Sequence, residues 1–278
     1  MYGGININNK FEIHNKDGLI YLTIPTFDET KLVKHCFTTR QGGVSQGIYN
    51  NLNTSLIKND VRENVLENLD RICSAIEIDC NKLVFSQQTH GDTVRVVTLD
   101  DIGKGITVES DIKEVDALIT NVPGVPMITF YADCVPVFIL DPVKKAVGLA
   151  HSGWKGTTLK IAAKTIQKMA EVYGTNPEDC LVGIGPSIEM KCFEIKEDTA
   201  ELFKKSFNNW EVFMHKKDEM HYTADLWLAI KLMLIEIGVQ EKNITISDLC
   251  TCCNENLFFS HRRDKGATGS LSSIIELR

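Results

Sequence analysis

No stretch of this 278-residue chain stays apolar for the roughly 18 residues that a membrane-crossing helix needs, which excludes a helical membrane protein. The first residues, MYGGININNKFEIHNKDG, lack the basic and then apolar regions of a secretion signal, so a cytoplasmic protein is expected. Positive charge is in short supply: 30 Lys and Arg against 37 Asp and Glu leave a formal charge of −7. A chain without a net basic field has little with which to attract phosphate backbones, which argues against a nucleic-acid binder. Linkers, low-complexity tracts and internal repeats are missing as well. One domain over 1–278 is therefore expected, with 1–30 as a peripheral N-terminal segment. The nine cysteines argue against a disulfide framework, because their number is odd, the chain is long and no secretion signal is seen.

What is present is ordinary globular material, 43% hydrophobic and 24% charged, enough to bury a substantial core. Three helices announce themselves by period. In DVRENVLENLDRICSAIEI, Val65, Leu69, Ile72 and Ile76 share a face, with Asp60 placed to cap the start. In TTLKIAAKTIQKMAEVYG, a stripe runs from Leu159 through Ala162, Ile166 and Met169 to Tyr173, and Gly174 ends it. In DLWLAIKLMLIEIG, Leu226, Ile230, Leu234 and Ile237 align before Gly238. Short β-branched runs predict strands at DTVRVVT, DALIT, PMITF, PVFIL, KAVGLA, DCLVGIG and NITIS. Helices and strands interleave without regular βα alternation, so the expected class is α+β, with mixed β-sheets flanked by helices.

The stretch GLAHSGWKGTT imitates a phosphate-binding loop and fails on spacing. Gly148 and Gly153 stand four residues apart, but the P-loop needs Lys directly after the second Gly and Ser or Thr next. Here Trp154 intervenes and Gly156 follows Lys155. A weaker anion site at a helix start remains open, beside a plain strand-to-helix turn.

Three residues with metal affinity sit at strand edges: His90 before DTVRVV, Cys134 between ITFYA and VPVFIL, and His151 at the end of KAVGLA. Two imidazoles and a thiolate are a plausible zinc set, and three protein ligands leave a fourth position open. No short C-x-x-C or H-E-x-x-H fixes their geometry, so two satisfied histidines and a core thiol are the competing reading. A third uses Cys134 as a nucleophile with His151 as its base. Asp133, next to Cys134, is a carboxylate at the end of a buried strand, which normally has a partner or a task. The CTCC run (Cys250, Cys252, Cys253) reads as buried thiols: strand alternation puts Cys250 and Cys252 on one face and Cys253 opposite, and no histidine is near.

Taken in order, CFTTRQGGVSQGIYNNLN, FSQQTHGDTVRVV, DALIT, ADCVPVFILDP, GLAHSGWKGT, GIGPSI with CFEI, and FFSHRRDKGATGSLSSII resemble the bacterial YfiH/YlmD-type family. Its members are also called laccase-domain or multicopper-polyphenol-oxidase-like purine nucleoside phosphorylases. The resemblance covers nearly everything after the first 30 residues. It implies zinc, with copper as the alternative ion, held by His90, Cys134 and His151. It implies phosphorolysis of adenosine, inosine and methylthioadenosine, with adenosine deamination at the same site. Older labels in the family claim copper-dependent polyphenol oxidation, and some relatives are linked to peptidoglycan editing. Three positions depart from the pattern: Ser270 where Arg is usual, His261 where Tyr is usual, and Ile230 where Asn is usual.

Among these activities, a laccase needs paired H-x-H motifs for its trinuclear cluster, and seven histidines without one such pair cannot build it. The deaminase signature H-x-E with P-C-x-x-C is absent too. A phosphorylase needs cationic groups around phosphate; Arg40 and Lys155 are the first candidates, then Arg262 or Arg263. Asp133 is the candidate proton shuttle for deamination at purine C6, with a structural carboxylate as its alternative. The expected partners are purine nucleosides and phosphate, with no nucleic acid and no membrane, in a monomer or homodimer.

Overall fold

The apolar runs become two stacked sheets because alternate residues of the same strands serve two different cores. The computed structural model describes residues 11–278. Its strands are β1 (Glu12–Lys16), β2 (Leu19–Thr23), β3 (Val33–Thr38), β4 (Val84–Phe85), β5 (Val94–Val96), β6 (Ala117–Thr120), β7 (Met127–Tyr131) and β8 (Val135–Asp141). They continue with β9 (Ala146–Ser152), β10 (Leu181–Ile184), β11 (Glu194–Lys196), β12 (Met214–Lys216), β13 (His221–Ala224), β14 (Ile244–Ile246) and β15 (Leu271–Leu277). The α-helices are α1 (Pro25–Asp28), α2 (Arg62–Ala75), α3 (Trp154–Thr158), α4 (Ile161–Tyr173), α5 (Glu197–Ser206) and α6 (Leu226–Glu236).

One sheet has the order β1-β2-β3-β15-β7-β4 and the other β14-β10-β8-β9-β6-β5; neighbours are mostly antiparallel, with a parallel pair at one edge of the first sheet and at both edges of the second. On β8, Phe138 and Leu140 join Leu118 and Leu149 of the same sheet and Phe37, Met127 and Leu271 of the facing one. The intervening Val135, Val137 and Ile139 face the other way, onto Ile161, Ile166 and Met169 of α4 and Ile230 and Leu234 of α6. The outer face of the first sheet shows Ile128, Phe130 and Ile274 to Val65, Leu69 and Ile72 of α2. The layers are therefore helix, sheet, sheet, helix. A third sheet, β11-β13-β12, closes one end over Phe203 of α5. Strands covered on both faces carry near-continuous apolar sequence, which is why they stood out as runs. The α+β expectation of mixed sheets flanked by helices holds.

Several boundaries differ from expectation for identifiable reasons. Asp60 does not cap α2; Val61 holds that position without a side-chain bond, and Asp60 instead accepts hydrogen bonds from Ser45 Oγ and Asn53 Nδ2. The stripe expected from Leu159 begins at Ile161, because Lys160 lies in the left-handed region (φ 62°) and separates the single turn α3 from α4. The stretch expected to be peripheral over 1–30 is integral where it is described. Its strands β1 and β2 form a sheet edge, while Leu22, Ile24 and Phe27 are fully buried. Residues 1–10 lie outside the described residues.

Candidate metal centre and its cavity

Strand pairing places the donors. Cys134 immediately precedes β8, and His151 on β9 is the register partner of Pro136 on β8, so the thiol and the imidazole meet at the same end of the sheet. The next strand over, β6, is preceded by Asp116, whose carbonyl accepts the His151 N–H at 2.8 Å. The Asp116 carboxylate is fully buried and does two things. One oxygen lies 2.8 Å from His151 Nδ1, which leaves Nε2 as the free ring nitrogen. Both oxygens also accept the backbone N–H groups of Thr89, His90 and Gly91, at 3.1, 2.9 and 2.7 Å. A single carboxylate therefore orients one histidine and folds the loop that carries the other. His90 adopts a left-handed backbone (φ 61°), a conformation costing about 1–2 kcal/mol outside glycine that those three bonds enforce.

The donor atoms of His90, Cys134 and His151 all lie within 4.8 Å of one another. The His90 and His151 rings stand edge to face with centroids 4.8 Å apart. Bond lengths of about 2.0–2.3 Å put tetrahedral zinc ligands roughly 3.3–3.8 Å apart, so a modest contraction would close the trio on one ion. Gly153 explains why the next turn carries no side chain. A Cβ there would sit 2.8 Å from Cys134 Sγ and 3.1 Å from His90 Cδ2. Burial alone would push the Cys134 thiol up, but His151 and His90 beside it outweigh that and bring it down to about 6. Burial alone would lower His151, and the Cys134 and Asp116 charges overcome it, raising it to about 9. A thiolate is thus favoured before any ion arrives, as a metal ligand requires.

The trio sits in the wall of a cavity of about 420 Å³, within the range of small-molecule sites. Phe130, Tyr131, Trp154, Ile188, Phe193 and Leu226 supply apolar lining. The polar lining includes Lys58, Asp133, His261, Arg262 and Ser270.

The other expected residues divide. Asp133 lines the cavity, yet its oxygens accept short bonds from Thr251 Oγ1 and the Arg262 N–H, both 2.6 Å. Those bonds suit a structural carboxylate, the alternative the sequence reading set beside a proton shuttle. Arg40 and Lys155 do not reach the cavity wall. The Arg40 guanidinium donates to the carbonyls of Asn50 and Glu255 and stacks 4.5 Å from the Phe259 ring. Lys155 is exposed on α3, whose five residues are too short to build a helix-start anion site. Arg262 lines the cavity and is held by the carbonyls of Cys192 and Glu194, whereas Arg263 is paired with Asp264. Two residues escaped sequence reasoning. Asp116 was legible as an acid opening the apolar strand ALIT. Lys58, half-buried with its pKa lowered by burial, makes no ion pair or hydrogen bond with any described residue and carried no signal in SLIKND.

A family model for multi-copper polyphenol oxidoreductase laccases matches residues 34–278. The chain belongs to that family. The purine nucleoside phosphorylase YlmD of Bacillus subtilis is 36% identical over 243 residues, covering 87% of each chain. A purine nucleoside phosphorylase of Bacteroides thetaiotaomicron is 32% identical over 245 residues, 87% of this chain and 91% of that one. The crystal structure of YlmD from Geobacillus stearothermophilus matches with a TM-score of 0.91 at 31% identity, covering 97% of this chain and 99% of that one. Two of the three positions where the resemblance leads one to expect another residue fall in the site. His261 and Ser270 both line the cavity, while Ile230 is a fully buried core residue of α6. No helix of the described residues is long and apolar enough to cross a membrane.

Proposed function

We propose that the protein is a purine nucleoside phosphorylase whose metal centre is His90, Cys134 and His151, with zinc as its ion. Two imidazoles and a thiolate with an open fourth position suit zinc, and copper is the alternative ion. One observation carries the reading: three metal donors converge on a nucleoside-sized cavity that also holds an unpaired lysine, Lys58. The relatives named as purine nucleoside phosphorylases support it from a different direction.

The proposed substrates are adenosine, inosine and methylthioadenosine, with deamination of adenosine at the same site. Phe130, Trp154 and Phe193 offer flat apolar surface to a purine. Lys58 is the best-placed cation for the phosphate, and it replaces Arg40 and Lys155 in that role. In phosphorolysis a phosphate oxygen bonds to C1′ as the bond from C1′ to the purine nitrogen breaks. The electron pair leaves with the base, which takes up a proton, and the products are free purine and the sugar 1-phosphate, that of ribose or, from methylthioadenosine, of methylthioribose. A bound zinc supplies Lewis acidity at this end of the cavity. Asp133 holds Thr251 and Arg262 in the cavity wall rather than moving a proton. A laccase reaction lacks its donors, since neither of the two candidate metal-binding groups among the described residues holds more than two histidines.

A second reading has one observation in its favour. Cys134, lowered to about 6 beside His151, is also what a cysteine hydrolase would use. Phosphate separates the two. Hypoxanthine release from inosine should require phosphate in the wild type and fall by about a thousandfold in Cys134→Ala, a loss on the scale of removing an activating metal centre. Equal rates in both proteins would rule out this metal centre as the site of phosphorolysis.

A further inference from the structure

A second group of donors stands outside the cavity, where sequence reading expected inert thiols. That expectation rested on a strand at 250–253, and the structure has none. Cys250 makes a single bridge to Ser187, and 251–253 turn away from it. Cys250 and Cys253 are spaced C-x-x-C, the knuckle spacing of structural zinc sites. Facing them is a second turn of the same spacing, Glu189-Met-Lys-Cys192, closed by the Cys192 and Phe193 N–H groups donating to the Glu189 carbonyl at 3.0 and 2.9 Å. The two turns are tied by Ser187, which donates its N–H to the Leu249 carbonyl and accepts the Thr251 N–H. Four donor atoms, from Glu189, Cys192, Cys250 and Cys253, consequently lie within 4.8 Å of one another. Cys192 and Cys253 sulfurs are 3.3 Å apart, Cys253 Sγ is 3.4 Å from a Glu189 oxygen, and the Glu189 N–H points at Cys250 Sγ at 3.4 Å. N–H groups aimed at a knuckle sulfur are the outer support that thiolate sites use.

We propose that Cys192, Cys250, Cys253 and Glu189 form a second metal site, a closed four-donor site for a zinc-class divalent ion. Three thiolates and a carboxylate carry four negative charges, and the ion returns two. Two guanidiniums brace the backbone of the turns that carry the donors. Arg262 donates to the Cys192 carbonyl at 2.9 Å, and Arg263 donates to the Thr251 and Cys252 carbonyls at 3.0 and 3.4 Å. Cys250 is buried and Cys253 exposed, so the ion sits at the surface within reach of a chelator. Its position gives it a task. Ile188, next to Glu189, donates its N–H to the Asp133 carbonyl, and Thr251 and Arg262 bond the Asp133 carboxylate. Clipping the two turns together fixes the cavity wall from behind.

The test uses the full chain carrying Cys134→Ala, which removes the sulfur of the first centre. After purification under reductant and reloading with zinc or cobalt(II), one tightly held ion per chain should remain. The cobalt form should show sulfur-to-metal charge-transfer absorption of three thiolates. Adding Cys253→Ser, at an exposed position that serine fits, should reduce that band by about a third, and Glu189→Ala should weaken zinc about 10–100-fold while keeping all three sulfurs. Cys80→Ser, at a thiol outside the cluster, should change neither. Cobalt-loaded Cys134→Ala without a thiolate band would overturn the site. So would a Cys192–Cys253 disulfide in metal-free protein isolated with its thiols trapped under reductant, since the pair would then be a redox couple.

Discussion

The two donor clusters of this molecule share only thiol sulfur, one mixing it with two imidazoles and the other with a carboxylate, and they count to different numbers. At the cavity, His90, Cys134 and His151 make three, with buried Asp116 behind them and open space in front. At the surface, Cys192, Cys250, Cys253 and Glu189 make four and close on themselves. Three protein donors leave room for a reacting molecule, whereas four saturate the ion and leave it only a mechanical role. The supports differ in the same sense. A carboxylate on the back of an imidazole tunes a reactive ion, whereas the Glu189 N–H facing Cys250 Sγ helps to hold a static one.

That contrast breaks most visibly on activity. Cys134→Ala should cost about a thousandfold in phosphorolysis, while Cys253→Ser, which only loosens the wall, should cost no more than about tenfold. Comparable losses from both would mean that the surface cluster takes part in the chemistry. Asp116→Asn comes next. It keeps the shape but removes the charge that fixes His151 Nδ1 and supports the His90 loop, so zinc affinity at the cavity should fall about 10–100-fold with the surface ion unaffected. Equilibrium dialysis of the two ions, distinguished by their cobalt spectra, checks both halves.

A smaller effect concerns the frame that carries the clusters. His35 Nε2 accepts the Ile24 N–H at 2.7 Å, and its Nδ1 has no hydrogen-bond partner, so the folded form is the neutral imidazole. Burial, assisted by the charge of His14, lowers its pKa from 6.5 to about 3. The unfolded chain therefore takes up a proton below about pH 6.5 that the folded chain refuses until about pH 3. The contribution is fully present above the higher value and is lost as pH falls through that window, by up to about 1.4 kcal/mol per pH unit. Urea midpoints between pH 7 and 4 should fall more steeply for the wild type than for His35→Gln. Parallel slopes would contradict the assignment.

How much of this was readable in the residues follows from what each feature depends on. Strands such as PVFIL and KAVGLA were legible because burial on both faces leaves an apolar run. The short β11, β12 and β13, with exposed and buried residues mixed, left no such trace. His90, Cys134 and His151 were legible as residue types at strand ends, and their convergence depends on the pairing of β9 with β8 on one side and β6 on the other, which no local pattern encodes. Alternation misread Cys250–Cys253 because it assumes a strand. One β-bridge followed by a turn converts opposite faces into neighbouring ligands. Asp116 was passed over for a simpler reason. Its complete burial, which obliges a carboxylate to find partners, belongs to the fold and leaves no mark on the stretch DALIT.

The choice among cations gives the finest distinction. Arg40 precedes a pair of glycines in sequence, yet in the fold its guanidinium is occupied by the Asn50 and Glu255 carbonyls and the Phe259 face. Lys155 follows the metal-site loop in sequence, yet α3 turns its side chain to solvent. Lys58 has neither advantage in sequence, but it stands at the cavity with its charge unpaired and partly desolvated. An anion that meets such a lysine gains a charge-assisted bond without displacing an internal partner. Lys58→Ala should therefore raise the KM for phosphate by about tenfold, the scale of one such bond, at nearly unchanged nucleoside affinity. Lys155→Ala should stay within about twofold of wild type on both, as expected for a solvated surface charge. The reverse ranking would move the phosphate to the α3 side of His151 and restore the reading that the spacing of GLAHSGWKGTT first suggested.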